Sequence, residues 1–164
     1  MKTVSIIFIA TILFTGCIER YPVYENKCKK PIYMSYKEFR ELPNIEEAKE
    51  IKKAGKIYIY NELLFVNEPN KGIHVIDNSN KSNPKNRYFI NLPGNIDIAV
   101  KDGYLYADSF TDLVVLNIKD IDNITKVHRQ EEVFTYDPFQ TITDINEYYC
   151  YADPNKGIVI GYEK

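Results

Sequence analysis

An all-β body of about three antiparallel, propeller-like repeat units, set behind a signal peptide and a tether, is the architecture this sequence predicts. Three observations lead there. The chain repeats itself at offsets of 40–45 residues. The repeated stretches are short runs of Ile, Val, Tyr and Phe punctuated by turn residues, which is strand composition. The first seventeen residues have a different character altogether.

Met1-Lys2 is a minimal basic start, and Val4 to Phe14 is apolar apart from Ser5 and Thr11. That run matches the roughly 7–15 residues of a signal-peptide h-region. It is short of the about 20 residues a membrane span requires. It closes on Leu13-Phe14-Thr15-Gly16-Cys17. Small residues fit a narrow peptidase cleft, and a cysteine directly after them resembles the lipobox of bacterial lipoproteins. The resemblance implies cleavage between Gly16 and Cys17, lipidation of Cys17, and acylation (palmitate among the chains) of the new terminus. Phe14 stands where an aliphatic residue is usual. The alternatives are a plain secretory signal with an incidental cysteine, or a buried hydrophobic helix. Each buried CH2 contributes about 0.8 kcal/mol, so several acyl chains hold firmly. The expected location is the bacterial cell envelope, with the outer membrane preferred over the inner. The expected division is signal peptide 1–16, lipidated terminus and tether 17–54, and repeat domain 55–164.

The 148 residues left after cleavage fit one domain. The composition holds 14 Tyr, 8 Phe and no Trp, a choice suited to half-buried strands and binding surfaces. From Glu19 to Lys56, ten Lys/Arg face seven Asp/Glu, a balance of +3. From Ile57 to Lys164, ten face sixteen, a balance of −6. An acidic body does not suit nucleic acid, whose binding rests on phosphate neutralisation. The basic stretch reads as a solvated tether, with contact to anionic headgroups as the alternative. Cys28 and Cys150 read as free thiols, with pairing in an oxidising compartment as the alternative.

The repeat is clearest where Pro69-Asn70-Lys71-Gly72-Ile73 recurs as Pro154-Asn155-Lys156-Gly157-Ile158, at an offset of 85. Gly72 to Asp77 aligns with Asp112 to Asn117 at an offset of 40, and Leu64-Phe65-Val66 with Leu105-Tyr106-Ala107 at 41. Each unit then reads as three strands. The first is Ile57–Tyr60, Ile98–Val100, or the region of Ile145. The second is Leu63–Asn67, Tyr104–Asp108, or Tyr148–Ala152. The third is Ile73–Ile76, Leu113–Leu116, or Ile158–Ile160. Such units fit propeller periodicity. The same alignment overrules the helical propensity of Ile45–Lys53. Its counterpart carries Pro93 and Gly94, so Ile45–Ala54 is expected to be extended or irregular. A helical turn is expected near Tyr36–Leu42.

Ile73–Asp77, IHVID, and Leu113–Asn117, LVVLN, resemble the core pentapeptide of the LVIVD-repeat proteins, bacterial extracytoplasmic proteins of β-propeller blades. Gly72, Ile73, Val75, Asp77, Asp112, Leu113, Val115, Gly157 and Ile158 carry the repeat motif. The resemblance implies a fold and a location, and no catalytic residues. A propeller needs about 4–8 blades to close, and only three units are visible. A shortened form, a ring of several copies, or blades folded back as a sandwich would each reconcile the two.

Chemistry-bearing residues are few. Asn67-Glu68, Asp108 with Asp112, and Asp153 with Asn155 recur in loops. They read as turn formers rather than calcium ligands, because they repeat with the turns. His74 sits at a place that is Val114 and Val159 in the other units, so it reads as a half-buried packing residue. No nucleophile elbow, P-loop or dinucleotide fingerprint is present, and no metal or cofactor is implied. Tyr104, Tyr106, Tyr148, Tyr149 and Tyr151 read as packed faces, with an aromatic platform for sugar or protein as the alternative. The sequence therefore favours a non-enzymatic lipoprotein that binds a protein or glycan, with homo-oligomerisation open. The alternatives are a propeller-type hydrolase or lactonase, and a truncated piece of a longer propeller lipoprotein.

Overall fold

A computed structural model describes residues 28–163. The signal peptide, the Gly16–Cys17 cleavage point and the lipidation site at Cys17 lie outside the described residues. The described part is all-β with antiparallel sheets.

The elements in chain order are β1 (Pro31–Met34), α1 (Tyr36–Glu41), β2 (Asn44–Glu47), β3 (Ile57–Tyr60), β4 (Leu63–Glu68), β5 (Gly72–Asp77), β6 (Lys85–Asn91), β7 (Ile98–Lys101), β8 (Tyr104–Ser109), β9 (Asp112–Asn117), β10 (Thr125–Gln130) and β11 (Ile158–Tyr162). Strands β3 to β6 form one up-and-down meander, and β2 adds to its β6 edge to make five strands. Strands β7 to β10 form a second meander of four. Both begin with a two-residue hairpin. Tyr60 pairs Leu63 across Asn61-Glu62, and Lys101 pairs Tyr104 across Asp102-Gly103. Asn61, Asp102 and Gly103 take positive φ, the backbone such hairpins require.

The two sheets stack face to face over one core. Phe65, Ile73, Val75 and Ile90 from the first sheet meet Leu105, Ala107, Val114 and Leu116 from the second. Equivalent positions lie on opposite sides of this interface. Ile73 and Val75 point into it from the first unit, while their counterparts Leu113 and Val115 are half-buried on the far face of the second. That is the arrangement of copies stacked in one direction, each presenting the other copy's outer face.

The third unit departs from expectation. Ile158–Tyr162 is a strand, but the region of Ile145 and Tyr148–Ala152 are not strands. Asp144 turns the chain there: its carboxylate accepts from the Asn146 amide at 3.0 Å, and its carbonyl accepts from the Tyr149 hydroxyl at 2.7 Å. Strand β11 instead pairs antiparallel with β1, Met34 facing Ile158. Since β5 pairs β6 and β9 pairs β10 in the same sense, β1 fills the fourth-strand place of the third unit.

The stretch 31–47, read from the sequence as tether, thus supplies β1, α1 and β2 to the body. Helix α1 is capped by Ser35, whose Oγ accepts from the Glu38 amide at 3.2 Å. It buries Phe39 against Phe110 and beneath the Arg129 guanidinium. After β2 the chain runs to Lys56 with no strand or helix, in keeping with the extended or irregular reading of Ile45–Ala54. The free-thiol reading of the cysteines is corrected. Cys28 and Cys150 form a disulfide with Cα atoms 5.0 Å apart, a separation that bridges without strain on the backbone. Lys29, next to Cys28, and Tyr149, next to Cys150, form a β-bridge, and that local pairing sets the two sulfurs side by side.

Candidate binding cleft at His74

The first sheet has a second face, and a cleft of about 670 Å³ opens on it. Side chains two residues apart on a strand share a face. The register Val66–His74, Glu68–Gly72 and His74–Phe89 therefore puts Glu68, His74, Phe89 and Asn91 on this side. Met34 of β1 and Ile160 of β11 line the opposite wall, and the stretch from Lys49 to Lys52 forms the rim. The cleft is the incompletely filled space between the five-stranded sheet and the β1–β11 pair.

At its base lies a buried, hydrogen-bonded Glu68–His74 pair. The His74 side chain is 0% exposed, and its Nε2 sits 3.1 Å from Glu68 Oε2. Its ring lies 4.8 Å from that of Phe89. Lys71 Nζ donates to Glu68 Oε1 at 2.6 Å, and the Lys52 amide reaches Oε2 at 3.5 Å. Burial pushes the Glu68 carboxyl upward, but the donors from Lys71, His74 and Lys52 outweigh it and hold it below the usual carboxylate range. Glu68 is therefore the anion that organises the base. With Nε2–H donating to Glu68, a neutral His74 presents Nδ1 as an acceptor. That Nδ1 is buried and has no hydrogen-bond partner, which is costly in a folded interior.

Around the base the charges are unequally matched. Lys49 is paired with Glu46, whose carboxyl is lowered chiefly by that hydrogen bond, and its ammonium also lies 4.6 Å from the Phe89 ring centroid. Asn91 Nδ2 donates to Glu46 Oε1 at 2.8 Å. Lys71 is paired with Glu68. Among the described residues, no ion pair holds the Lys52 ammonium. Glu50, on the same rim, likewise has no ion pair among the described residues, so one cation and one anion stand unpaired there beside Asn91, while the Asn70 side-chain amide is engaged by Gln140.

His74 was expected to be half-buried packing. It is fully buried, and it makes a hydrogen bond to a buried carboxylate that a packing residue would not. The signal was available in the repeat. Glu68 aligns with Ser109 and His74 with Val114, so two diagonal positions on one face of the β4–β5 pair become ionisable together in the first unit.

The other singled-out residues build the scaffold. Ile73, Val75 and Ile158 are wholly buried. Asp77 Oδ1 accepts from the Ser79 amide at 2.9 Å, and its counterpart Asn117 from Lys119 at 3.1 Å, the same turn made twice. Asp108 accepts from the Ile96 and Asp97 amides, each at 2.8 Å. Asp112 is fully buried and takes Arg129 Nη1 at 2.9 Å, Thr111 Oγ1 at 2.9 Å and the Glu132 amide at 3.1 Å. Asp153 caps the turn into Asn155 at 3.0 Å. Their oxygens face amides, a hydroxyl and a guanidinium. No group of three His, Cys, Asp or Glu side chains is placed to hold a metal ion among the described residues.

The tyrosines divide. Tyr104, Tyr106 and Tyr149 are half-buried, whereas Tyr148 and Tyr151 are exposed. No helix among the described residues is long and apolar enough to cross a membrane. Comparison with protein-family models, with curated proteins and with solved structures returns no match.

Proposed function

We propose that this chain is a lipid-anchored protein of the bacterial cell envelope that binds a small polar ligand bearing an anionic group, without turning it over. The observation that carries the binding reading is the cleft: its lining sets Lys49, Lys52 and Lys71 against Glu50 and Glu68, an excess of one cation, with the Lys52 ammonium in no ion pair among the described residues and Asn91 beside it. A carboxylated sugar has the matching chemistry, since its hydroxyls meet Asn91 and Glu50 and its carboxylate meets the Lys52 ammonium. The envelope location is supported by the lipobox-like run before Cys17 and by the Cys28–Cys150 disulfide, which suits an oxidising compartment. Two four-stranded meanders stacked in one direction, each carrying an LVIVD-like pentapeptide on its third strand, favour reading them as propeller blades.

A hydrolytic reading draws on the Glu68–His74 contact, because a carboxylate that orients an imidazole is a general-base arrangement. His74 is 0% exposed, and among the described residues no serine or cysteine lines the cleft. Both observations favour binding over turnover. The test is thermal melting in millimolar D-glucuronate against D-glucose. A ligand that binds only the native state raises Tm. Glucuronate is expected to raise it, Lys52→Ala to abolish the rise, and glucose to leave it unchanged. Equal melting in both sugars would overturn the anionic-ligand reading.

A further inference from the structure

The loop from Asp144 to Tyr151 presents large side chains to water. Ile145 is 91% exposed, Tyr148 75% and Tyr151 88%. Single exposed apolar residues are ordinary, but three within seven residues concentrate them on one short loop. The loop is also held in shape. Asp144 closes it through Asn146 and Tyr149, the Lys29 amide donates to the Tyr148 carbonyl at 2.8 Å, and the Cys150 amide donates to the Lys29 carbonyl at 3.0 Å. Little ordering remains to be done when a partner arrives.

The same contacts fix where the loop sits. The disulfide joins it to Cys28, and Cys28 follows Cys17 by eleven residues. Eleven extended residues reach at most about 36–40 Å, the thickness of a bilayer rather than of a cell wall. We propose that this loop is an interfacial membrane-docking surface, with Ile145 in the acyl boundary and Tyr148 and Tyr151 at headgroup level. The inference rests on the lipid-anchored reading of Cys17. Tyrosine suits the place, since its ring is apolar and its hydroxyl stays wet. The charges nearby offset one another in number: Lys29, which pairs with Glu147 at 3.4 Å, and Lys30 stand against Asp144 and Glu147. Apolar insertion therefore carries the contact, and it persists in high salt, where headgroup attraction is screened.

The chain holds no tryptophan, so a single introduced one reports cleanly. The full chain carrying Tyr151→Trp is produced in a bacterial host with labelled palmitate. It is then reconstituted into phosphatidylcholine vesicles whose acyl chains are brominated. Tyr151 is exposed, so the substitution leaves the fold in place. The control is Ile59→Trp on β3, at a site 68% exposed. The expected result is palmitate incorporation, a blue-shifted Tyr151→Trp emission quenched roughly two-fold or more in low and high salt, and an unquenched control. Incorporated palmitate with unquenched Tyr151→Trp overturns the docking surface and leaves the anchor standing. Absent palmitate removes the anchor, and the docking surface with it. Equal quenching at both positions overturns the assignment to this loop.

Discussion

At the scale of the residue, Glu68 is where burial and charge oppose each other most directly. Burial alone would raise its carboxyl, and the Lys71, His74 and Lys52 donors reverse that. The folded value lies below the unfolded one. The associated stability is therefore present above the unfolded value and is lost as pH falls through the folded one. Melting followed from pH 6 to pH 3 is expected to show a steep acid limb. In Glu68→Gln the starting Tm at neutral pH is lower, because a buried cluster loses its anion, and the acid limb is shallower. Parallel curves for the two proteins would mean that Glu68 takes no part in the acid response. His74 shows why this residue-scale chemistry was hard to read in sequence. A lone histidine between Ile73 and Val75, at a site that is valine in two other units, looks like packing. Only the hairpin register, with Glu68 opposite Gly72 and His74 opposite Val66, brings the pair together.

At the scale of the element, the recurring Pro-Asn-Lys-Gly-Ile run has a steric cause. Gly72 takes φ 151°, and a Cβ added there would strike the Ile90 carbonyl of the neighbouring β6. Gly157 takes φ 122°, and a Cβ there would strike the Met34 carbonyl of β1. Both glycines serve close approach of a fourth strand, so the motif marks a strand pairing rather than a ligand. Gly72→Ala and Gly157→Ala are each expected to lower stability by about 1–3 kcal/mol in chemical denaturation. A change of a few tenths at either would mean that the backbones separate there freely. This also explains which strands were legible. Strands β3, β4, β5, β7, β8 and β9 pair with chain neighbours across short turns, and their local pattern announces them. In the third unit the partner of β11 comes from the N-terminal segment. Local pattern says nothing of so distant a pairing, so it offers Tyr148–Ala152 as the second strand of the third unit and leaves β1 in the tether.

At the scale of the whole molecule, the question is whether the third unit is an appendage or part of the cooperative body. Phe39 of α1 and Ile158 of β11 share a buried cluster with Phe110, which lies between β8 and β9. Arg129 of β10 donates to the Leu42 carbonyl at 3.0 Å, and Lys126 to that of Arg40 at 3.1 Å. The second sheet is thereby bolted to the N-terminal segment, and the first sheet is joined to it through β2 on β6. Such contacts couple the ends to the shared core, so a single unfolding transition is expected. The Cys28–Cys150 bridge closes a loop across a sequence separation of 122 residues. In the chain-entropy account its removal costs about 3–5 kcal/mol through the unfolded state. For a body of this size that corresponds to a Tm lower by roughly 10 °C or more. Cys28→Ala with Cys150→Ala is therefore expected to melt in one transition at markedly lower temperature. The alternative outcome is an early partial transition confined to β1 and β11, followed by unchanged melting of the two meanders. Amide exchange separates the two cases. In the first, protection falls together in β4, β5, β8, β9 and β11. In the second, it falls in β1 and β11 alone, and the third unit is then an appendage that unfolds on its own.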